Sequence, residues 1–303
     1  MQTRTKIALV VAILAVTSTT AFAASGDYGP WSAAVRVEAT GADAAFNGPS
    51  LDGCPFISRD GKTFYMASNR PGGIGGIDIW VSTRASVDEP WGAPVNVGPP
   101  VNSTANDFCP TISRDGHLFY FVSNRAGGCG GDDIYTTRLR PDGWDPVANL
   151  GCEVNSAGNE ASPFPLPERD DGPVLYFSST RAGSNDLYRS ESHGGVFGAA
   201  TAISELNSSA QDGQPNLRRD GLEIFFFSNR PGSAGNDIYA ATRASTREPW
   251  SAPVNLGPNV NSAASETRPS LSWDGTALYF GSTRGGGEGD SDHYVTTRDR
   301  LIG

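Results

Sequence analysis

Residues 58–73 read SRDGKTFYMASNRPGG, and residues 113–128 read SRDGHLFYFVSNRAGG. Looser copies follow as ERDDGPVLYFSSTRAGS (168–184), RRDGLEIFFFSNRPGS (218–233) and SWDGTALYFGSTRGGG (272–287). Self-similarity at a fixed period marks a repeat architecture, so the unit has to be read before the whole. Each copy can be cut at a proline, at Pro55, Pro110, Pro163, Pro215 and Pro269, with spacings of 55, 53, 52 and 54 residues. That is the length of one propeller blade.

Within a unit the proline opens a short strand (PFIS, PTIS, PFPL, PNLR, PSLS) that runs into a tight turn at Asp60, Asp115, Asp171, Asp220 or Asp274. Asp-Gly between apolar runs is a strong hairpin signal, because such turns need positive φ. A second strand rich in aromatic and β-branched residues follows (TFYMAS, LFYFVS, VLYFSS, EIFFFS, ALYFGS), apolar enough to be buried on both faces. A Gly-rich loop leads to a third strand (IDIWVST, DIYTT, DLYRS, DIYAAT, DHYVTT), and a fourth starts at Trp91, Trp144, Phe197 or Trp250. The last unit ends too soon to form its own fourth strand. WSAAVRV (31–37) has the pattern of one and precedes the first proline, so it is predicted to lie beside residues 293–297. The expected fold is all-β, a single five-bladed β-propeller of four-stranded blades closed by an N-terminal strand, which leaves only short edges exposed.

The units resemble the TolB-type WD40-like β-propeller repeats of exported bacterial proteins, on the pattern Pro-x-x-Ser-x-Asp-Gly, Leu-Tyr-Phe, Ser-Asn-Arg-x-Gly-Gly and Asp-Ile-Tyr, which recurs over essentially the whole chain after residue 23. The resemblance implies the propeller fold. TolB itself has six blades and a further N-terminal domain, which this chain lacks, so its role does not transfer.

Residues 1–23 have the layout of a secretory signal peptide: Arg4 and Lys6, the apolar run IALVVAILAV, and a small-residue exit at Ala21–Ala23. The apolar run is too short to span a bilayer. Residues 24–303 then form the propeller, exported to the periplasm or beyond the cell. Loss of Arg4 and Lys6 takes the formal charge from −10 to −12, which disfavours nucleic acid and anionic lipid as partners and predicts no membrane insertion. Four cysteines in an exported chain favour disulfides. The sequence allows three pairings, and position in the repeat points to Cys54 with Cys109 and Cys129 with Cys152. Cys54 and Cys109 are equivalent points on neighbouring inner strands, near the separation limit of about 4.4–6.8 Å for bonded Cα atoms.

Polar residues recur at fixed offsets. Asn47, Asn102, Asn155, Asn207 and Asn261 lie in the crossovers, and Asp52, Asp107, Glu160, Asp212 and Glu266 open the inner strands. Arg70, Arg125, Arg181, Arg230 and Arg284 close the second strands, while Asp78, Asp133, Asp186, Asp237 and Asp292 open the third. The Asn, Arg and third-strand Asp sets read as scaffold, through Asx turns and ion pairs. The inner acidic ring is expected to line the channel mouth as a ligand-binding set that attracts a cation, calcium being the candidate, or a cationic group. No cofactor is otherwise implied. Neither Gly-x-Ser-x-Gly nor His-Glu-x-x-His occurs, and His117, His193 and His293 fall in separate blades. The stretch GGGEGDSD (285–292) carries carboxylates without the ligand pattern of an EF-hand. Near-equivalent units favour an exported non-catalytic propeller binding a protein, peptide or glycan on its crossover face. The alternative is a glycan-cleaving enzyme similar to five-bladed arabinanases, which would need carboxylates in unlike environments.

Overall fold

A computed structural model describes residues 27–38, 46–169 and 172–301. Residues 1–23, expected to be a signal peptide, and Asp171, expected in a turn, lie outside the described residues. Five antiparallel sheets follow one another around a ring. The first blade runs Asp52–Ile57, Thr63–Ser68, Asp78–Thr83 and Val95–Asn96, from the axis outward. The second and third begin at Asp107–Ile112 and Glu160–Arg169, the fourth and fifth at Asp212–Leu217 and Glu266–Leu271. The outermost strand of the fifth blade is Val35–Arg36, paired Val35 to Val295 and Arg36 to Tyr294. The ring is therefore closed by the N-terminal strand, as the sequence requires. Trp31 packs against the ring as Trp91 and Trp250 do: the Arg298 guanidinium lies 4.4 Å from its ring centroid, Arg84 4.2 Å from Trp91 and Arg243 4.2 Å from Trp250, whereas Trp144 meets the Phe119 ring at 5.0 Å.

Two details differ from expectation. The fourth strand is not one continuous strand from the aromatic: in the second and third blades the aromatic pairs in a two-residue ladder of its own, Gly143–Trp144 and Val196–Phe197, set apart from the outer pairs Ala148–Asn149 and Thr201–Ala202. The outer pair is two residues long in every blade, both at Val95–Asn96 and Val254–Asn255, where Pro94 and Pro253 just before have no N–H to give the ladder, and at Val35–Arg36 and Thr201–Ala202, where alanine precedes. Each inner strand also carries a bulge, as pairing skips from Gly53 to Phe56 and from Gly213 to Asn216. The residue before each cutting proline takes a left-handed conformation there, with φ of 50° at Cys54, 49° at Cys109, 51° at Ser162, 59° at Gln214 and 57° at Arg268. This kink brings the Cα atoms of Cys54 and Cys109 to 4.7 Å, within bonding range, and both expected disulfides are present.

The core lies in layers between blades. Phe225, Phe280, Tyr294 and Trp31 form one such layer, and Phe64, Met66, Trp80 and Trp91 belong to another. His293 occupies the position filled by Ile79, Ile134, Leu187 and Ile238 in the other blades. It is fully buried against Phe46 and Phe64, and neither ring nitrogen has a partner among the described residues.

Two predictions follow from this packing. Burial pushes the His293 imidazole down to about 3 from 6.5. The unfolded chain therefore takes up a proton that the folded chain refuses, and stability should fall as pH drops from 6.5 towards 3, with a slope approaching about 1.4 kcal/mol per pH unit. Urea titrations of His293→Ile should show a shallower slope in that window. Replacing Cys54 and Cys109 together by Ser opens a 55-residue loop and should lower unfolding free energy by about 4 kcal/mol. Peptide mapping without reduction should find no free thiol in the parent protein.

Candidate functional site

The acidic ring is buried. Asp52, Asp107, Glu160, Asp212 and Glu266 have no exposed surface, and each meets the arginine that closes the second strand of its own blade. Arg70 and Arg125 reach Asp52 and Asp107 at 2.6 Å, and Arg230 reaches Asp212 at 2.5 Å. The longer Glu160 and Glu266 are met at 3.3 and 3.1 Å, and each also accepts from a serine hydroxyl of the second strand, Ser179 or Ser282. The remaining oxygen of each carboxylate accepts a crossover N–H, from Gly48, Ser103, Ser156, Ser208 or Ser262. The crowded charge is answered inside each blade, so the expected open, cation-attracting mouth is corrected. No group of three or more His, Cys, Asp or Glu able to hold a metal occurs among the described residues.

The other repeated sets are also occupied. Each crossover asparagine bonds the second residue of a third strand rather than its own backbone: Asn102 accepts the Ile79 N–H and donates to its carbonyl, and Asn155 does the same for Ile134. Asn207, Asn261 and Asn47 repeat this at Leu187, Ile238 and His293. The third-strand aspartates gather N–H groups of the Gly-rich loops. Asp78 accepts from Ile74 and Gly75, Asp133 from Cys129 and Gly130, and Asp292 from Glu288. A Cβ at Gly73, Gly128 or Gly287 would strike that carboxylate at 2.4 Å or less, which explains the glycines without a phosphate or calcium. Asp237 is bonded by Asn255, and Asp186 by Ser184.

With the repeated residues committed to the scaffold, the axial channel has to be read where the repeats differ. The five left-handed residues form its waist, which holds only about 30 Å³. Above the waist, on the crossover face, a chamber of about 230 Å³ is lined by Leu51, Ile77, Phe108, Asp132 and Arg268 among others. At the first of two unlike positions the blades carry Ile77, Asp132, Asn185, Asn236 and Ser291, and at the second Cys54, Cys109, Ser162, Gln214 and Arg268. Asp132 is thus a carboxylate in one blade only. Burial, reinforced by the negative charges of Asp133 and Glu160, raises its pKa above the ordinary carboxylate range. Its carboxylate has no hydrogen bond or ion pair among the described residues, although its backbone N–H is held by Asn159 at 3.0 Å. Arg268 crosses from the fifth blade towards the first, where the missing side chain of Gly53 makes room; a Cβ there would lie 3.0 Å from the Arg268 Nη1. Its Nε is buried without a partner, and the guanidinium has no carboxylate partner among the described residues. The sequence reading missed both residues because it followed what recurs. Their signal was divergence one place before a repeated residue, Asp133 or Pro269.

No protein-family model and no curated protein matches the chain. Solved structures do. An endo-arabinase from Bacteroides thetaiotaomicron superposes with a TM-score of 0.57 at 18% identity, over 85% of this chain and 98% of that one. An α-L-arabinofuranosidase from Podospora anserina in complex with cellotriose gives 0.55 at 13%, over 90% and 98%. A protein assigned as TolB from Agrobacterium tumefaciens gives 0.51 at 16%, over 91% and 100%. At these identities the likeness establishes the five-bladed propeller fold, and membership of the TolB-type family is not established. The expectation of a non-catalytic binding propeller is corrected on two grounds. The structural neighbours are mostly arabinanases and arabinofuranosidases. The near-equivalence of the units, on which that expectation rested, fails at Asp132 and Arg268.

Because each ring carboxylate is buried with its arginine, removing one leaves the other charge uncompensated. Asp107→Asn should lower unfolding free energy by about 3 kcal/mol in denaturant titrations, while the ligand affinity of the folded fraction stays unchanged.

Proposed function

We propose that the protein is a glycan-cleaving enzyme whose substrate enters the axial channel from the crossover face, with Asp132 as the proton-donating carboxyl. The observation that carries this is Asp132 itself, a partly buried, unpaired carboxyl with a raised pKa at a position where the other four blades carry Ile, Asn or Ser. A carboxyl that holds its proton above the ordinary carboxylate range can pass it to a glycosidic oxygen as the bond to the sugar breaks, with water taking the place of the leaving group at the anomeric carbon. Arg268, in the same chamber, donates hydrogen bonds to sugar hydroxyls and fixes the ring against the waist. No second carboxylate lines this chamber among the described residues, so the acid alone is assigned. The neighbours' activities on arabinan and arabinofuranosides support arabinose-containing glycans as the first substrates to try. Two disulfides support action outside the cytoplasm, where such polymers are met.

The test is turnover of arabinan, arabinoxylan and 4-nitrophenyl α-L-arabinofuranoside by the parent protein and by Asp132→Asn. The variant should lose about 100-fold or more in kcat at unchanged thermal stability. In the parent, activity should be present where Asp132 is protonated and be lost as pH rises through its raised pKa, so the alkaline limb should sit above the ordinary carboxylate range. No turnover across the panel, or full turnover by Asp132→Asn, would remove the assignment.

A further inference from the structure

Below the waist the channel widens again. This lower chamber, on the face of the Asp-Gly hairpins, holds about 540 Å³, within the range of about 300–1,000 Å³ typical of small-molecule sites. It is a pocket rather than a pore, since the waist above it holds only about 30 Å³. Its wall is apolar, with Phe56, Ile112, Phe164, Leu217 and Leu271 coming one from each blade. Its rim is not. The residue between Ser or Arg and Asp in the hairpin motif is Arg59, Arg114, Arg219 or Trp273 in four of the blades, and all four line the chamber.

We propose that this chamber is a second binding site, independent of the upper one, for a small organic monoanion with an apolar body, such as an aryl-alkyl carboxylate. Arg59 and Arg114 converge on one indole, their guanidinium carbons 5.0 and 5.7 Å from the Trp273 ring centroid. Neither these two nor Arg219 forms an ion pair among the described residues, and like charges brought together in this way favour an anion between them. The nearest carboxylates are already committed. Asp60 accepts from the Ser58 hydroxyl at 2.6 Å and the Lys62 N–H at 3.1 Å, and Asp115 from the Ser113 hydroxyl and the His117 N–H in the same way. Three arginines against the two carboxylates that also line the chamber, Asp60 and Asp115, leave the mouth net cationic on a chain of formal charge −10.

The chemistry of the wall narrows the ligand further. A sugar needs polar partners along its length, yet the serine hydroxyls here, Ser58, Ser113 and Ser272, each already donate to the aspartate of their own turn. An apolar body needs none. It would lie against Phe56, Phe164 and Leu217, stack on Trp273, and leave its carboxylate at the rim for paired hydrogen bonds from guanidinium groups.

Titration calorimetry with 4-phenylbutyrate and with its neutral amide tests the proposal on the full-length protein. The acid should bind and the amide at least tenfold more weakly. Arg59→Ala with Arg114→Ala, both exposed, should weaken the acid at least tenfold without moving the melting temperature, and Trp273→Leu should weaken both probes. Asp132→Asn should bind the acid as the parent does, which separates this site from the proposed active site. Equal binding of acid and amide, undiminished binding in the double arginine variant, or preferential arginine-dependent binding of an oligogalacturonate would each overturn the proposal.

Discussion

The structure depends on one clasp, built in every blade. An acidic side chain opening the inner strand is held by the arginine that ends the second strand, and that arginine also donates to a crossover carbonyl: Phe46 for Arg70, Val101 for Arg125, Val154 for Arg181, Leu206 for Arg230 and Val260 for Arg284. A serine two residues before the arginine accepts from its Nε, fixing the direction of the fork. The clasp therefore ties together the crossover, the start of the inner strand and the end of the second. A propeller has no central element to hold its sheets in register, so the crossovers must be held at each step. A buried pair of this kind adds little net stability against an apolar replacement, but loss of either partner strands a charge in a dry interior. Its effect is to hold every crossover by the same contacts.

That uniformity explains how much could be read from the sequence. Five copies of a 52- to 55-residue unit, a shortened last copy and WSAAVRV at the other end were enough to specify five blades, the closing strand and its neighbour. Alternation and turn chemistry placed the three inner strands of each blade. They placed the fourth poorly, since an outer edge broken into two-residue ladders reads in the sequence like one longer strand. The role of the acidic ring was misjudged because an offset fixes which face a residue occupies, but not whether its side chain turns to the axis or back into its own blade. Glu160 and Glu266, which looked like breaks in the pattern, are longer arms making the same clasp.

The candidate functional positions are hidden for the complementary reason. Residues that carry the architecture must recur, so a search guided by recurrence finds the scaffold. Asp132 and Arg268 are visible only after the blades are aligned and the repeated residues set aside. His293 teaches the same lesson without implying function: it too breaks a repeated column, yet it is sealed among aromatics with no route to a ligand. Divergence from the repeat nominates a position, and access to the channel has to decide whether the position can act.

The waist shows how one backbone can carry two unlike chambers. Five non-glycine residues in left-handed conformation are an unfavourable set, each costing on the order of 1–3 kcal/mol, and each must be compensated by its surroundings. The bulge gathers one side chain from every blade around the axis while leaving the clasp, two residues before it, untouched. Two of the five are spent on the Cys54–Cys109 bridge, which locks the first two inner strands together. Of the other three, Arg268 reaches upward into the chamber of Asp132, while Gln214 accepts the Arg268 backbone N–H at 2.9 Å and keeps the fifth strand in place. A side chain at the waist can thus brace the ring, as Cys54, Cys109 and Gln214 do, or turn into the channel, as Arg268 does, whereas one at the clasp can only brace.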